Sequence, residues 1–137
     1  MTFLAQHWPL ALVTGRPRKD LNIFLDRFNL SSFFPVSVCM DDAPAKPHAR
    51  PVELALERLS AHHKKELKRA WMVGDTPDDV TAARGCGRLD SYALLPFAIK
   101  PSSSLVEDAL WKAGASRLIP SWQTWLSLLN PESSPFS

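Results

Sequence analysis

The sequence predicts an α/β fold built on a parallel sheet. Short apolar runs alternate along the chain with segments whose apolar residues recur at helical spacing. The connections between these segments are only a few residues long. Strands that alternate with helices in this way favour a parallel sheet covered by the helices. The order of the strands and helices and the shortness of their connections therefore predict the fold class without any motif.

The first half of the chain predicts two strands and two helices. An apolar run at 10–14 forms the first strand, and a helix follows Pro17. An apolar, β-prone run within 33–40 forms the second strand, and an acidic, proline-rich loop leads from it to a helix that begins at Pro51. The apolar residues that define these helices are Leu21, Phe24, Leu25 and Phe28 in the first and Val52, Leu56 and Leu59 in the second.

The alternation continues through the middle of the chain. A third strand ends at Gly74, and the helix that follows it begins at Pro77. This helix extends to about Arg84, and Gly85 is expected to stop it. A further short strand is predicted at 91–95.

Two helices are predicted to close the domain. A capping box at 104–107 begins the first, and Gly114 ends it. Ser121 caps the second, and we expect a single domain over 1–130 with a flexible tail at 131–137. The apolar stripe of the last helix consists of Trp122, Trp125, Leu126 and Leu129.

Composition argues against several classes of function. The formal net charge is +2, and the basic stretch at 62–69 has no interleaved aromatic residues, so no nucleic-acid partner is predicted. No apolar run reaches the roughly 18 residues of a membrane span, and we expect neither a membrane anchor nor a targeting signal. Cys39 and Cys86 make no disulfide framework or metal-ligand pattern, which indicates reduced thiols in the cytoplasm.

Polar residues follow three of the predicted strands. They are Thr14, Gly15 and Arg16 after the first strand, Lys46 after the second, and Asp75 and Asp79 after the third. The carboxyl ends of parallel strands meet at one edge of a sheet, where open α/β sheets bind their ligands. A hydroxyl, backbone N–H groups, an ammonium and carboxylates that suit Mg²⁺ can together hold a phosphoryl group and neutralise its charge. The sequence therefore predicts a phosphate and magnesium site at this edge.

Each of these groups also has a purely structural explanation. Thr14-Gly15 fits a turn, and Lys46 fits a lysine in a surface loop. Thr76 is a good helix N-cap, Pro77 suits the first helical turn, and acids in that turn favour the helix dipole. The order and spacing of the three groups together, rather than any one of them, favour the functional interpretation.

In these motifs and their order, the sequence resembles the haloacid dehalogenase-like (HAD) hydrolase superfamily, and within it the phosphoglycolate phosphatase-like branch. The run at 12–17 looks like the family's second motif, which implies that Thr14 binds the transferring phosphoryl group. The run at 45–47 looks like the third motif, which implies that Lys46 steadies the nucleophile and the phosphate.

The run at 74–79 is similar to the GDxxxD form of the family's fourth motif. The resemblance implies that Asp75 binds Mg²⁺ directly and that Asp79 supports the metal site. The run at 82–87 resembles the family's AAxxAG helix end, so that the match covers nearly the whole chain. The family's fold implies a three-layer, Rossmann-like core.

The family's first motif, an apolar strand that ends in DxDxT or DxDGT, does not occur in this sequence. Its two acids would be the nucleophile and the general acid/base, whereas the earliest aspartate here, Asp20, follows the second motif. The helical cap that shapes the family's substrate pocket is missing as well. The first strand is central in the family's sheet, between the strands that end here at Thr14 and Gly74. We therefore expect an opening in the middle of the sheet. We also expect the chain to be the C-terminal portion of a longer protein, a product that starts at an internal methionine, or the product of a shortened gene model.

Two interpretations of function follow. In the first, the chain is part of a Mg²⁺-dependent phosphatase that acts on a small phosphorylated metabolite, a phosphomonoester, and the 137-residue form is inactive alone. In the second, the short form is a non-catalytic binding or interaction module. In either case a missing N-terminal segment or a partner chain would complete the sheet. A different hydrolase chemistry on the same scaffold stays open, because the fold does not fix the reaction.

Overall fold

The computed structural model describes residues 2–65, 67, 69–86, 93–121 and 123–124. The elements in chain order are α1 (Thr2–His7), β1 (Ala11–Val13), α2 (Arg18–Arg27), β2 (Val36–Val38), α3 (Arg50–His63), β3 (Arg69–Gly74), α4 (Pro77–Cys86), β4 (Ala93–Ile99), α5 (Ser104–Ala113) and β5 (Arg117–Ile119). This order confirms the predicted alternation and adds α1 and β5, which were not predicted.

The predicted apolar stripe of the last helix and the tail at 131–137 lie outside the described residues. At the start of that helix, the Ser121 hydroxyl accepts the backbone N–H of Thr124 at 3.1 Å, as expected of its N-cap. The domain boundary at 130 stays a prediction. No helix in the described ranges is long and apolar enough to cross a membrane.

All five described strands are parallel to their neighbours, but they form two sheets. β1 pairs with β2, and a second sheet has the order β3-β4-β5. Within the described ranges, β1 has no strand neighbour other than β2, and β3 has none other than β4. The opening therefore lies where it was predicted, between the strand that precedes Thr14 and the strand that ends at Gly74. The predicted fold class, a parallel α/β core that is incomplete at a central strand, is confirmed.

One face of both sheets is covered by α3, α4 and α5. Ala11 and Val13 of β1 and Ala70 and Met72 of β3 pack on the same cluster, whose buried residues come from α3, α4 and the neighbouring segments. Those buried residues are Val36, Val52, Leu56, Leu59, Leu67, Ala82, Ala83 and Cys86. Farther along, Ala98 of β4 packs with Leu110 of α5 and Val80 of α4.

The opposite face is covered by α1 and α2. Leu10, Trp71 and Val73 pack with a cluster formed by three buried residues, which are Leu4, Phe97 and Ile119. Leu12 of β1 packs with Leu21 and Leu25 of α2. Adjacent strand residues thus alternate between the two helix layers, as the period of two in a strand requires. The result is the three-layer core that the family resemblance implies.

The predicted end of α4 at Gly85 is wrong, because the helix continues through Gly85 to Cys86. A Cβ atom at position 85 would lie 2.8 Å from the Cβ atom of Ala49, which precedes α3. Glycine is therefore required at this position by close packing between two segments, and not by a helix terminus.

The predicted capping box of α5 is wrong by one residue. The N-cap is Ser103, whose hydroxyl accepts the backbone N–H of Val106 at 3.5 Å, whereas Ser104 is the first helical residue. The predicted C-terminus is confirmed, since Gly114 adopts a left-handed conformation with φ of 103°.

Candidate functional site

The carboxyl ends of β1 and β3 share a cavity of about 390 Å³. Val13 is the last residue of β1, and Met72, Val73 and Gly74 are the last three of β3; all four line this cavity. The charged residues that line it are Lys46, Asp75 and Asp79. The structure therefore brings together the predicted residues that follow the second and third strands, at the edge where parallel strands end.

Asp79 is the most enclosed group of the site, with 6% of the residue exposed. Its Oδ2 atom accepts the backbone N–H groups of Asp75 at 3.1 Å and Thr76 at 3.2 Å. Its Oδ1 atom pairs with the ammonium of Lys46. Both carboxylate oxygens are thus engaged, one with the loop after β3 and one with the loop after β2.

Asp79 also caps its own helix. Its backbone N–H donates to the Thr76 hydroxyl at 3.3 Å, while its carboxylate accepts the Thr76 N–H, which makes a reciprocal capping box at the start of α4. Burial alone would raise the pKa of Asp79, but the hydrogen bond and charge of Lys46 and the N–H groups of Asp75 and Thr76 outweigh burial. The pKa therefore lies below its usual value, and Asp79 is ionised at neutral pH.

Lys46 approaches the site from the loop after β2. Its side chain is 18% exposed, and its Nζ atom lies 3.4 Å from the carbonyl oxygen of Val13 in addition to the pairing with Asp79. The Lys46–Pro47 peptide bond is cis. The ammonium therefore lies between the end of β1 and the start of α4, inside the cavity rather than on an open surface.

Asp75 differs from Asp79 because it is exposed. Its backbone N–H is bound by Asp79, but no hydrogen bond or ion pair of its carboxylate occurs among the described residues. In the same ranges, no group of three or more His, Cys, Asp or Glu side chains is arranged to hold a metal ion. A Mg²⁺ ion needs only one or two carboxylates when water and a phosphate supply its other ligands, so Asp75 beside this cavity fits such an ion.

The residues after β1 lie next to the cavity but do not line it. The Thr14 backbone N–H donates to the carbonyl of Val38 at 2.9 Å, and the Thr14 hydroxyl accepts the N–H of Arg16 at 3.2 Å. The guanidinium of Arg16 lies over the Phe24 ring, 5.5 Å from its centroid. The hydroxyl thus closes a turn, as the structural explanation expected, and Gly15 has open space where a side chain would be.

Two features of the site were not predicted from the sequence. The first is the reason for Gly74: a Cβ atom there would lie 2.6 Å from both Cβ and Cγ of Asp79, so glycine makes room for the buried carboxylate. No local sequence signal reveals this contact, because it depends on how α4 folds back over the end of β3.

The second is an ion-pair network that holds the loop after β2. The Asp42 carboxylate accepts the Cys39 N–H at 3.0 Å and pairs with Arg18 and, at 3.3 Å, with Arg58. Asp41 accepts the N–H of Arg18 at 2.8 Å and thereby caps α2. Burial opposes ionisation of Asp42, but the N–H and the arginines prevail and lower its pKa to about 2. The adjacent acids after a strand were the visible signal, and they anchor the loop that carries Lys46.

The chain is similar to known proteins in family, in sequence and in structure. The family model of haloacid dehalogenase-like hydrolases matches residues 2–88. An imidazoleglycerol-phosphate dehydratase from Phytophthora nicotianae is 42% identical over 112 residues, which are 78% of this chain and 24% of that protein. The pyrophosphatase PpaX of Anoxybacillus flavithermus is 38% identical over 79 residues, which are 57% of this chain and 35% of that protein. The chain thus spans about a quarter to a third of the length of these relatives.

Similar folds occur among solved structures. A Thermotoga maritima protein described as a beta-phosphoglucomutase superposes with a TM-score of 0.64 at 25% identity, over 90% of this chain and 53% of that one. A HAD-superfamily hydrolase from Ehrlichia chaffeensis superposes with a TM-score of 0.50 at 17% identity, over 74% of this chain and 49% of that one. The first superposition agrees with the family match, and the second supports the fold alone.

Proposed function

The chain belongs to the haloacid dehalogenase-like hydrolase family, and we propose that it supplies the phosphate-binding and Mg²⁺-binding part of a phosphatase site for a small phosphomonoester. The observation that carries the proposal is the shared cavity at the strand ends, where Lys46 pairs with Asp79 and the Asp75 carboxylate is available. An ammonium and a carboxylate-bound cation on two sides of one cavity suit a phosphoryl group with two or more negative oxygens.

Each residue has a distinct role in this proposal. The Asp75 carboxylate would hold Mg²⁺, and the metal would neutralise charge on the phosphoryl oxygens. Lys46 would donate a hydrogen bond from Nζ to a phosphoryl oxygen. Asp79 would hold both the Lys46 ammonium and the loop after β3 in place. The Thr14 hydroxyl and the N–H groups of Gly15 and Arg16 would contact the phosphate from the β1 side. This last contact requires the Thr14 side chain to leave the Arg16 N–H.

Binding does not by itself give turnover. Of the carboxylates that line the cavity, Asp79 is held on both oxygens and Asp75 is assigned to the metal. No further carboxylate among the described lining residues is left to act as the nucleophile. We therefore expect the 137-residue chain to bind Mg²⁺ and phosphate without hydrolysing a phosphomonoester, and catalysis to need a nucleophile from outside the described residues.

A non-catalytic role is the second candidate, and the split sheet favours it. An interaction module needs an accessible binding edge, and β1 and β3 each offer one. In both roles we expect a cytoplasmic protein, because Cys39 and Cys86 are buried and unpaired thiols. The small net charge gives no reason to expect nucleic acid as a partner, and we propose no membrane partner.

Isothermal titration calorimetry of the full chain tests the proposal, with inorganic phosphate as the probe in the presence and absence of MgCl₂. We expect Mg²⁺ to tighten phosphate binding and Asp75→Asn to remove that effect. Asp78→Asn is the matched control, since it removes the same charge from a nearby exposed side chain that does not line the cavity. Lys46→Met should weaken phosphate binding about tenfold or more, which corresponds to the loss of a charged hydrogen bond.

Control variants separate the loss of a specific contact from the loss of a charge anywhere on the protein. The exposed Lys112→Met variant is the control for Lys46→Met and should leave phosphate affinity unchanged. Equal losses in Asp75→Asn and Asp78→Asn would contradict the assignment of Asp75. Hydrolysis of p-nitrophenyl phosphate by the purified chain, lost in Asp75→Ala, would contradict the view that the chain lacks a nucleophile.

A further inference from the structure

The guanidinium of Arg16 is held by stacking rather than by a polar partner. It lies over the Phe24 ring, 5.5 Å from the ring centroid, and the residue is exposed. Among the described residues it makes no hydrogen bond or ion pair, whereas the guanidinium of Arg18 binds both Ser37 and Asp42. Arg16 therefore has one face on an aromatic ring, while its other face and its N–H donors are open to a ligand.

Exposed apolar side chains lie beside Arg16 and Phe24. Phe28 is 55% exposed, and its ring centroid is 5.1 Å from that of Phe24. Met40 is 53% exposed, and its backbone N–H donates to the carbonyl of Arg16 at 3.0 Å. A single exposed apolar residue is ordinary, but neighbouring ones are a feature of binding sites. We call Arg16, Phe24, Phe28 and Met40 together the aromatic surface.

The aromatic surface begins beside the proposed phosphate site. Val13 lines the cavity, and only Thr14 and Gly15 separate it from Arg16 along the chain. The Cα atoms of Val13 and Arg16 are therefore at most about 11 Å apart. The backbone N–H of Arg16 faces the Thr14 hydroxyl at 3.2 Å, on the side of the turn where the phosphate would bind. A phosphate at this turn would bring the organic group that it carries close to the Arg16 guanidinium.

We propose that the aromatic surface binds the organic group of the phosphomonoester, and that this group is a planar aromatic ring stacked on the open face of Arg16. The inference rests on the proposed function, because it requires a phosphate at the end of β1. A guanidinium is planar and delocalised, and it stacks on aromatic rings. Phe24 already fixes the plane of Arg16 from one side, so that a ligand ring on the other side would meet a preorganised partner.

A second anionic group on the ligand fits the aromatic surface less well than a ring does. A carboxylate or phosphate would bind the N–H donors of Arg16 in the plane of the guanidinium. It would leave the exposed side chains of Phe28 and Met40 in water. An aromatic ring uses the face of the guanidinium and also removes neighbouring apolar surface from water, which is favourable. The composition of the surface therefore favours the ring.

The contact between Arg16 and Phe24 also has a structural explanation, since it covers part of the Phe24 ring. A lysine at position 16 would cover the ring with its aliphatic stem and would keep the charge, but it has no planar group on which a ligand could stack. Arg16→Lys therefore separates the structural role from the binding role. The matched control is Arg27→Lys, because Arg27 lies over Phe28 at 5.6 Å, at the end of α2 far from the cavity.

Isothermal titration calorimetry of the full chain with MgCl₂ tests the inference. The probes are phenyl phosphate, cyclohexyl phosphate and methyl phosphate, which share the phosphate and differ in the size and planarity of the organic group. We expect phenyl phosphate to bind about tenfold more tightly than methyl phosphate, and cyclohexyl phosphate to bind clearly more weakly than phenyl phosphate. Arg16→Lys should remove most of the preference for phenyl over cyclohexyl phosphate, whereas Arg27→Lys should retain it.

The outcomes distinguish this inference from the proposed function. If inorganic phosphate binds but the three esters bind equally, the inference is wrong and the proposed function stands. Equal affinities for phenyl and cyclohexyl phosphate, or a preference that survives in Arg16→Lys, would also overturn the inference alone. If neither inorganic phosphate nor any ester binds, the proposed function is wrong and the inference falls with it.

Discussion

Replacing Gly74 by alanine should destabilise the protein and disorganise the site together. The added Cβ atom would lie 2.6 Å from Cβ and Cγ of Asp79, which is closer than packed carbon atoms approach. The clash involves the base of a buried side chain, which cannot swing aside as an exposed one can. Asp79 must therefore move, and it would lose its alignment with the N–H groups of Asp75 and Thr76 and with Lys46.

The size of the effect follows from those contacts. Overpacking a core position costs about 1–3 kcal/mol, and loosening hydrogen bonds to a buried carboxylate adds about 1–3 kcal/mol. We expect Gly74→Ala to lower the free energy of unfolding by about 2–4 kcal/mol, because partial relaxation offsets part of the sum. Urea unfolding at neutral pH, followed by circular dichroism, measures this change, and calorimetry with Mg²⁺ and phosphate measures the effect on binding.

Gly15→Ala is the matched control. Position 15 has no atom within 4 Å of an added Cβ, and its φ is not positive, so this variant should stay within about 1 kcal/mol of the parent. If Gly74→Ala and Gly15→Ala have the same stability, then Asp79 does not occupy the space above Gly74. The proposed coupling between the two loops would then be wrong.

Three further predictions concern other parts of the fold. The pKa of Asp42, about 2, lies below its ordinary value of 3.8, so the ionised carboxylate stabilises the fold above pH 4 and this stabilisation is lost as the pH falls towards 2. Urea unfolding across this range should show a fall in the free energy of unfolding, and Asp42→Asn should make that fall smaller. Ser103→Ala should cost about 0.5–1 kcal/mol and Ser104→Ala less, and thermal unfolding of the pair tests the corrected cap of α5. Burial raises the pKa of Cys86 to about 11, so iodoacetamide should modify it in native protein far more slowly than in urea-unfolded protein, as intact mass reports; equal rates would contradict its burial.

Much of the secondary structure could be predicted because the signals are local. The helices with apolar residues at helical spacing, α2 and α3, were found from their periodicity, and Gly114 marked the end of α5 through its left-handed conformation. By contrast, α1 and β5 have six and three residues, which is too short for a period to stand out. Leu4 and Ile119 are buried in one cluster with Phe97, and a cluster drawn from distant parts of the chain has no local signature.

Glycine shows the limit of local prediction most clearly. The sequence predicts that Gly85 ends a helix, but α4 passes through it, and the glycine instead leaves room for Ala49. Gly74 ends β3, as predicted, yet its essential feature is that it has no side chain where Asp79 packs. In both cases folding brings the partner near: Asp79 to Gly74 from five residues away, and Ala49 to Gly85 from the start of a different helix.

The charged residues that line the cavity could be grouped from sequence, whereas Thr14, Gly15 and Arg16, which were grouped with them, do not line it. Parallel topology places the ends of β2 and β3 at one edge, which is why Lys46, Asp75 and Asp79 could be grouped from sequence. The partners of each acid could not be predicted, since Lys46 and Asp79 are 33 residues apart. The conformation of the loops sets these partners: both oxygens of Asp79 are bound, whereas the Asp75 carboxylate has no hydrogen bond or ion pair among the described residues.

The two oxygens of the Asp79 carboxylate face different partners, so the structural explanation of the acids after β3 accounts for one oxygen and leaves the other at the cavity. Oδ2 completes the capping box of α4 with Thr76, and Oδ1 holds Lys46 at the cavity. The helix start and the lysine position are therefore set by one side chain. A helix that begins one residue later would move Asp79 away from Lys46, so the capping box that stabilises α4 also fixes the geometry with which Lys46 would meet a phosphate.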